Sequence, residues 1–470
     1  MDQSLEGTKK PLEYLSDILE YRDEKKIKSM DIELIWSNVK LLSDQLLENG
    51  LPINEREKAT VVLLGLLYHP FVYLDLRPSE RPDSSLDAYL KIANLNGNNL
   101  KETNFNLLTV YSIVKLIADL QEDLFTLIDS IRGLMKTQER IFLEMNLSFG
   151  KMLYAVSIIS YIGYGLEKDF PNNSHFFPNV FSSQYILIRH LPFLHLLLSQ
   201  QEENIFDKGL ILSVKLFRRL ARGSLDSTFL ELLTDSPIDN CLIKIMKFSC
   251  NKIQRSTALS LFKLFVNSFK LPTRCQLLLR ILSNPDSEKG SQRLVLLLYK
   301  DLFVYEDDWT TLTDNLNQVI QRSVELSLPQ GVNTDLAENF DSICTLLNFI
   351  RYLLLRDKYP INESKIWNII DWLRKDCIDL IWQAIQISKA QYKARLQEMD
   401  EPDFKVKGNV DDKFKVEILN ENITEAQKID IIPDISEDHE RESLRLGLIN
   451  LDMMRSLVAR INDIIDESTR

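Results

Sequence analysis

Apolar residues recur along this chain at steps of three and four, the spacing that lines one face of an α-helix. The clearest run follows the turn LPQGVNTD. Phe340, Ile343, Leu347, Ile350 and Leu354 form one stripe, and Asp341, Thr345, Asn348 and Tyr352 fall opposite it. The spacing predicts a helix over about 334–357, with Thr334 as its N-cap. Arg351 sits at the edge of the apolar stripe, where a guanidinium must either snorkel to water or find a carboxylate. A second pattern starts near Ser364 and places Ile366, Ile370, Leu373, Cys377, Leu380, Ala384 and Ile387 on one face, as one long helix or as two joined near Lys375–Asp376.

Similar periodicity marks KIKSMDIELIWSNVKLLSDQLLENG, with Gly50 as C-cap, and NFNLLTVYSIVKLIADLQEDLFTLIDSI. It continues in KGLILSVKLFRRLARG and CLIKIMKFSCNKIQRSTALSLFKLFVNSF. The apolar run VVLLGLLYHPFVYLDL reads as a buried helix ending before Pro70, too short for the roughly 20 residues of a bilayer crossing. The last helix is expected to bury Leu446, Ile449, Met453, Leu457 and Ile461. Strand-like alternation occurs only in FKVKGNVDDKFKVEI, from Phe404, where a small β-ribbon could form.

Helices of this length joined by short polar links predict an all-α, HEAT-like helical-repeat solenoid, with a globular multi-helix fold as the alternative. We divide it into N-terminal repeats over 1–200, middle repeats over 201–327 and C-terminal, partner-binding repeats over 328–470. The last region includes an acidic insertion at 400–440, with 13 acidic and five basic residues. Its plain reading is a solvated linker, although acidic segments also serve as interaction elements.

Composition narrows the function. The chain has only 14 Gly and 15 Pro in 470 residues, against an all-β or wholly disordered fold. A net charge of −12 disfavours nucleic acid or an anionic membrane as the main partner. The N-terminus lacks the basic-then-apolar layout of a signal peptide. Five cysteines without a C-x-x-C pair, each in an apolar helical context, argue against a zinc site or a disulfide framework. The expected location is cytoplasmic, with the nucleus as an alternative.

Catalytic and ligand motifs are missing. His190 and His195 are five apart with Pro192 between them, so they share no helix face. Gly163 and Gly165 give G-x-G without a third glycine or a preceding strand. The most basic short stretch, Lys215, Arg218, Arg219 and Arg222, reads as a solvated helix face or as a patch for an anionic partner. No enzyme, cofactor or metal is expected.

Three stretches carry a resemblance: LPQGVNTDLAENFDSICTLLNFIRYLLLRD (328–357), ISKAQYKARL (387–396) and LDMMRSLVARINDIID (451–466). With their LP-x-G-x-x-TDL turn, LN-x-x-RYL helix, SKA-x-Y segment and SLVARI helix, the last close to the family's S-x-L-A-R-I/V, they resemble the glomulin family, which includes the plant aberrant-lateral-root-formation protein. That resemblance implies a non-catalytic helical-repeat protein. It also implies binding to the RING domain of the RING-box subunit of cullin–RING ubiquitin ligases, over the surface where the ubiquitin-conjugating enzyme docks. Candidate interface residues in the matching stretches are Asn333, Thr334, Asp335, Asp341, Thr345, Asn348, Arg351, Tyr352, Ser388, Lys389 and Tyr392. The free protein is expected to be a monomer. Rival readings are an adaptor or scaffold bridging other protein partners, and an enzyme whose site is assembled across helices.

Overall fold

Helix starts are written locally in this chain. Asp123, Ser148, Ser182, Asn251, Asp308 and Asp335 each take a non-helical conformation or stand at a helix entrance, and accept the free N–H groups of the first turn. The computed structural model describes residues 11–21, 29–49, 52–74, 76, 105–166, 176–178, 180–284, 289–359, 361–400 and 437–468. Among them every extended element is a helix, and the only strand-like pairing is an isolated bridge between Leu225 and Phe269. The fold is all-α, as the periodicity predicts. The ribbon from Phe404, Gly50 and most of the acidic insertion lie outside the described residues.

Contacts gather the chain into two units, Met1–Lys270 and Leu271–Arg470. In the first unit, helices α1 (Pro11–Tyr21), α2 (Ser29–Asn49) and α3 (Ile53–Leu66) precede α4 (Phe105–Leu120), α5 (Leu124–Thr137) and α6 (Glu139–Glu144). Then follow α7 (Phe149–Ser160), α8 (Ser183–Leu198), α9 (Glu203–Arg218), α10 (Thr228–Asp235), α11 (Ile238–Phe248) and α12 (Lys252–Ser268). Helix α8 packs on α7 and α9, α11 packs on α8 and α12, and α9 packs on α12.

The second unit holds α13 (Leu271–Ser283), α14 (Lys289–Tyr305), α15 (Trp309–Ser327), α16 (Leu336–Arg356), α17 (Asp379–Asp400) and α18 (Glu437–Ser468). Helix α13 packs on α14 and α15, and α14 on α15 and α16. Helices α13 and α14 each cover their successor and the one after it, the pattern of stacked helical hairpins in a repeat array. Edge-to-face aromatic pairs fill the cores, such as Phe217 with Phe265 and Phe265 with Phe269.

Several boundaries differ from the sequence expectation. The buried run at 59–67 does not stop before Pro70. It widens into a π turn, Leu67–Phe71, with Pro70 inside it. Proline has no N–H and its ring crowds the carbonyl four residues back, and a wider turn relieves both problems. The run from Asn104 is two helices, split where Asp123 accepts the N–H groups of Phe125 and Thr126. Likewise CLIKIMKFSC…NSF is two helices, parted at Ser249–Asn251, and Cys250 there is exposed rather than set in an apolar helix.

After Ser364 one continuous helical path runs through a 3-10 turn (Ile366–Ile369), a short α turn (Ile370–Leu373) and a π turn (Arg374–Ile378) into α17. The extra residue of the π turn moves the buried stripe on by one. Cys377, Ile378, Ile381, Ala384 and Ile385 are buried, while Leu380 is half-buried and Ile387 is exposed. The stripe on α18 is also corrected. Leu451, Met454, Val458, Ile461 and Ile465 face inward, whereas Leu446, Ile449 and Met453 are 58%, 58% and 50% exposed.

Candidate functional site

The best-matching turn is built residue by residue. Gly331 takes φ +57°, a left-handed conformation that glycine adopts without strain. A 3-10 turn, Gly331–Asn333, follows. Thr334 is not the N-cap: it is buried, and its hydroxyl accepts the Gln330 N–H at 3.0 Å, tying the turn together. Asp335 caps α16 instead, accepting from the backbone of Ala337 at 2.9 Å and Glu338 at 3.1 Å. Asn339, also buried, donates its side-chain N–H to the Asp335 carbonyl at 2.7 Å. Asn333 and Asp335 remain exposed.

Along α16, Asp341 and Asn348 of the polar stripe are exposed, while Thr345 and Tyr352 are half-buried. Asp341 forms an ion pair with Arg293 of α14, and Lys300 of α14 stands 5.3 Å over the Tyr352 ring. Burial pushes the Tyr352 hydroxyl above its ordinary pKa, against the nearby charge of Arg356. Thr345 and Asn348 bond back to the carbonyls of Asp341 and Cys344, so their side chains are held on the helix surface. Arg351 is half-buried and makes no ion pair among the described residues. Phe349, absent from the predicted stripe, is buried against Tyr299 and Phe303.

The second set has a different setting. Ser388 and Tyr392 are half-buried on α17, and Lys389 pairs with Asp452 of α18. That hydrogen bond holds the Asp452 carboxyl below the usual carboxylate range. The Tyr392 ring lies under Gly447, where an added Cβ would come within 2.5 Å of Cε2. Its hydroxyl is pushed up by burial, and further by the charge of Asp335. The fold therefore brings the Asn333–Asp335 turn and Tyr392 into one neighbourhood. The stripe from Asp341 to Tyr352 instead flanks α14.

Sequence reasoning missed the exposed stripe of Leu446, Ile449 and Met453 on α18. The helix carries apolar residues on two sides, a signal that one side is left for something other than its own core. It also missed the cleft of about 600 Å³ between α8 and α11, which brings His195, Cys241 and Lys244 together. Burial lowers the His195 pKa and pushes the Cys241 thiol up to about 11. That is the opposite of an activated nucleophile. Among the described residues no group of three or more His, Cys, Asp or Glu is placed to hold a metal. None of the described helices is long and apolar enough to cross a membrane.

No family model matches the chain. Curated relatives do. Mouse glomulin is 24% identical over 291 residues, and human glomulin is 24% identical over 299 residues. Each match covers 62% of this chain and 47% of the relative. The chain is related to the glomulin family. It spans about half the length of the glomulins it matches. The three glomulin-like stretches fall on the 331–333 turn with α16, on α17, and on α18. Helix α18 packs on both α16 and α17, and the turn packs on α17, so stretches up to about 100 residues apart form one cluster. Ion pairs clip its far end: Arg395 to Glu440 and Arg441 to Asp400.

Proposed function

We propose that this protein is a non-catalytic regulator that binds the RING domain of the RING-box subunit of cullin–RING ubiquitin ligases. Bound there, it masks the surface on which the ubiquitin-conjugating enzyme docks. The observation that carries this reading is the convergence of the three glomulin-like stretches into one helical cluster of the second unit. A partner surface needs side chains held in place before contact, so that little ordering entropy opposes binding. Capping by Asp335, the Thr334 tie and the Lys389–Asp452 pair supply that rigidity.

The mechanism is exclusion: two proteins cannot occupy one RING face. A complementary surface of standard size, about 800 Å² on each side, with a few anchoring side chains, is enough. Asn333, Asp335, Asn348 and Tyr352 offer polar contacts, and Leu446, Ile449 and Met453 offer apolar ones.

The purified full chain is expected to retain the isolated RING-box subunit at micromolar concentration. It should also slow substrate ubiquitination while leaving the charging of the conjugating enzyme untouched. No retention at that concentration overturns the reading. Co-purification from cells of partners lacking ligase subunits would put the adaptor reading in its place.

A further inference from the structure

The first unit holds a charge pattern at odds with the chain as a whole. Against a net charge of −12, the stretch from Asn240 to Lys270 has no acidic residue and six basic ones. Helix α12, inside that stretch, packs on α9, whose C-terminal end carries Lys215 and Arg218. Between these two helices lies an open cleft of about 380 Å³. Its apolar lining includes Val214 and Leu261, and its polar lining is Arg218 with the hydroxyls of Ser256, Thr257 and Ser260.

The chemistry of this lining is specific. Arg218 is exposed and makes no ion pair among the described residues. The carboxylates of α9 are already engaged: Glu203 accepts from Asn251 and Gln254, and Asp207 accepts from Gln254. One guanidinium satisfies a carboxylate in a two-pronged pair. A guanidinium that shares a cleft with three hydroxyl-bearing side chains suits a tetrahedral oxyanion, which has more acceptor oxygens and more charge. The apolar residues beside it can receive a neighbouring side chain. Lys252 and Lys263 are exposed on α12 nearby, and so are Ile253 and Leu259.

We infer that the cleft between α9 and α12 is a docking site for a phosphorylated serine or threonine in an acidic protein segment. A local cleft with an apolar wall fits a single phosphorylated side chain and its neighbour better than a continuous polyanion or a flat headgroup surface. The site lies in the first unit and is independent of RING masking by the second.

The test uses the full chain and an immobilised, degenerate library of peptides centred on phosphoserine or phosphothreonine with acidic flanks. The matching unphosphorylated library, vesicles of about one-third phosphatidylserine in phosphatidylcholine, and a single-stranded oligonucleotide complete the panel. The expected result is retention of the phosphorylated library over its unphosphorylated twin by about tenfold or more, as charge-assisted contacts to a phosphate imply. Arg218→Ala and the double change Ser256→Ala with Ser260→Ala should each remove that preference. Thermal unfolding should stay unchanged, because these side chains are exposed. Equal retention of the two libraries, or a preference that survives Arg218→Ala, would overturn the inference. Stronger, Arg218-dependent binding to vesicles or oligonucleotide would overturn the peptide assignment.

Discussion

Asp357 shows how much one side chain can fix. It is 3% exposed, and it accepts from the N–H of Glu363 at 2.9 Å, the N–H of Ser364 at 2.7 Å and the Ser364 hydroxyl at 2.5 Å. Its own carbonyl accepts from the Trp367 indole at 2.6 Å. Asn362 and Lys365 take positive φ in the same loop. Asp357→Ala strands buried donors, so a loss of about 2–4 kcal/mol is expected in denaturant unfolding, against a surface control such as Asp371→Ala. His190 makes the matching point for pH. Its Nδ1 lies 2.7 Å from the Ile186 carbonyl, and its ring stands among Tyr164, Phe125 and Phe193. Burial lowers its pKa to about 4. The unfolded ring protonates near 6.5, so between those values the unfolded chain holds more protons. The stabilising effect is therefore full above about pH 6.5 and fades as pH falls toward 4, by up to about 3 kcal/mol. His190→Gln should flatten the stability-versus-pH curve in that window. An unchanged slope would assign the dependence to other groups.

At the scale of the element, the register of α18 invites a comparison of neighbours. Met454 is fully buried and Met453 is half exposed to solvent. Met454→Ala should cost about 2–5 kcal/mol, and Met453→Ala about 0.5 kcal/mol or less. Equal losses would mean that the helix is rotated from the position described. Periodicity made the helices legible, because i to i+4 backbone bonds and the spacing of side chains on one face are local properties. The capping residues were half legible. Thr334 and Asp335 both have the right chemistry, and the choice between them depended on a hydrogen bond to Gln330 across the turn. The π turns at Leu67–Phe71 and Arg374–Ile378 were not legible. Each adds a residue to a pattern whose apolar content changes little, and only packing reveals the shifted stripe. Periodicity also placed Ile387 inward, and the π turn is why it points out.

For the whole molecule, the proposed regulator acts by occupancy, and its predictions are competitive. Asn348→Ala combined with Tyr352→Ala should weaken retention of the RING-box subunit by about tenfold, the scale of losing one modest anchor. Circular dichroism should show the helicity retained. Unchanged affinity would clear those two residues. Rising concentrations of the conjugating enzyme should relieve inhibition of ubiquitin transfer. A plateau that no excess can relieve would speak for an indirect effect. The candidate residues were found through short ordered motifs, yet their neighbourhoods were not visible there. Lys389 and Tyr392 sit in the seam between α17 and α18, while Asp341 and Tyr352 stand beside α14.

By itself the chain's pattern of apolar and polar positions determined an all-helical fold and most helix positions, and its residue motifs carried the resemblance to glomulin. Tertiary structure alone decided which side of a two-faced helix is buried, where an extra residue shifts the register, and which distant stretches meet. The reason is one of range. Helix formation is governed by residues three and four apart, whereas burial is a competition among all the surfaces that could cover a given face.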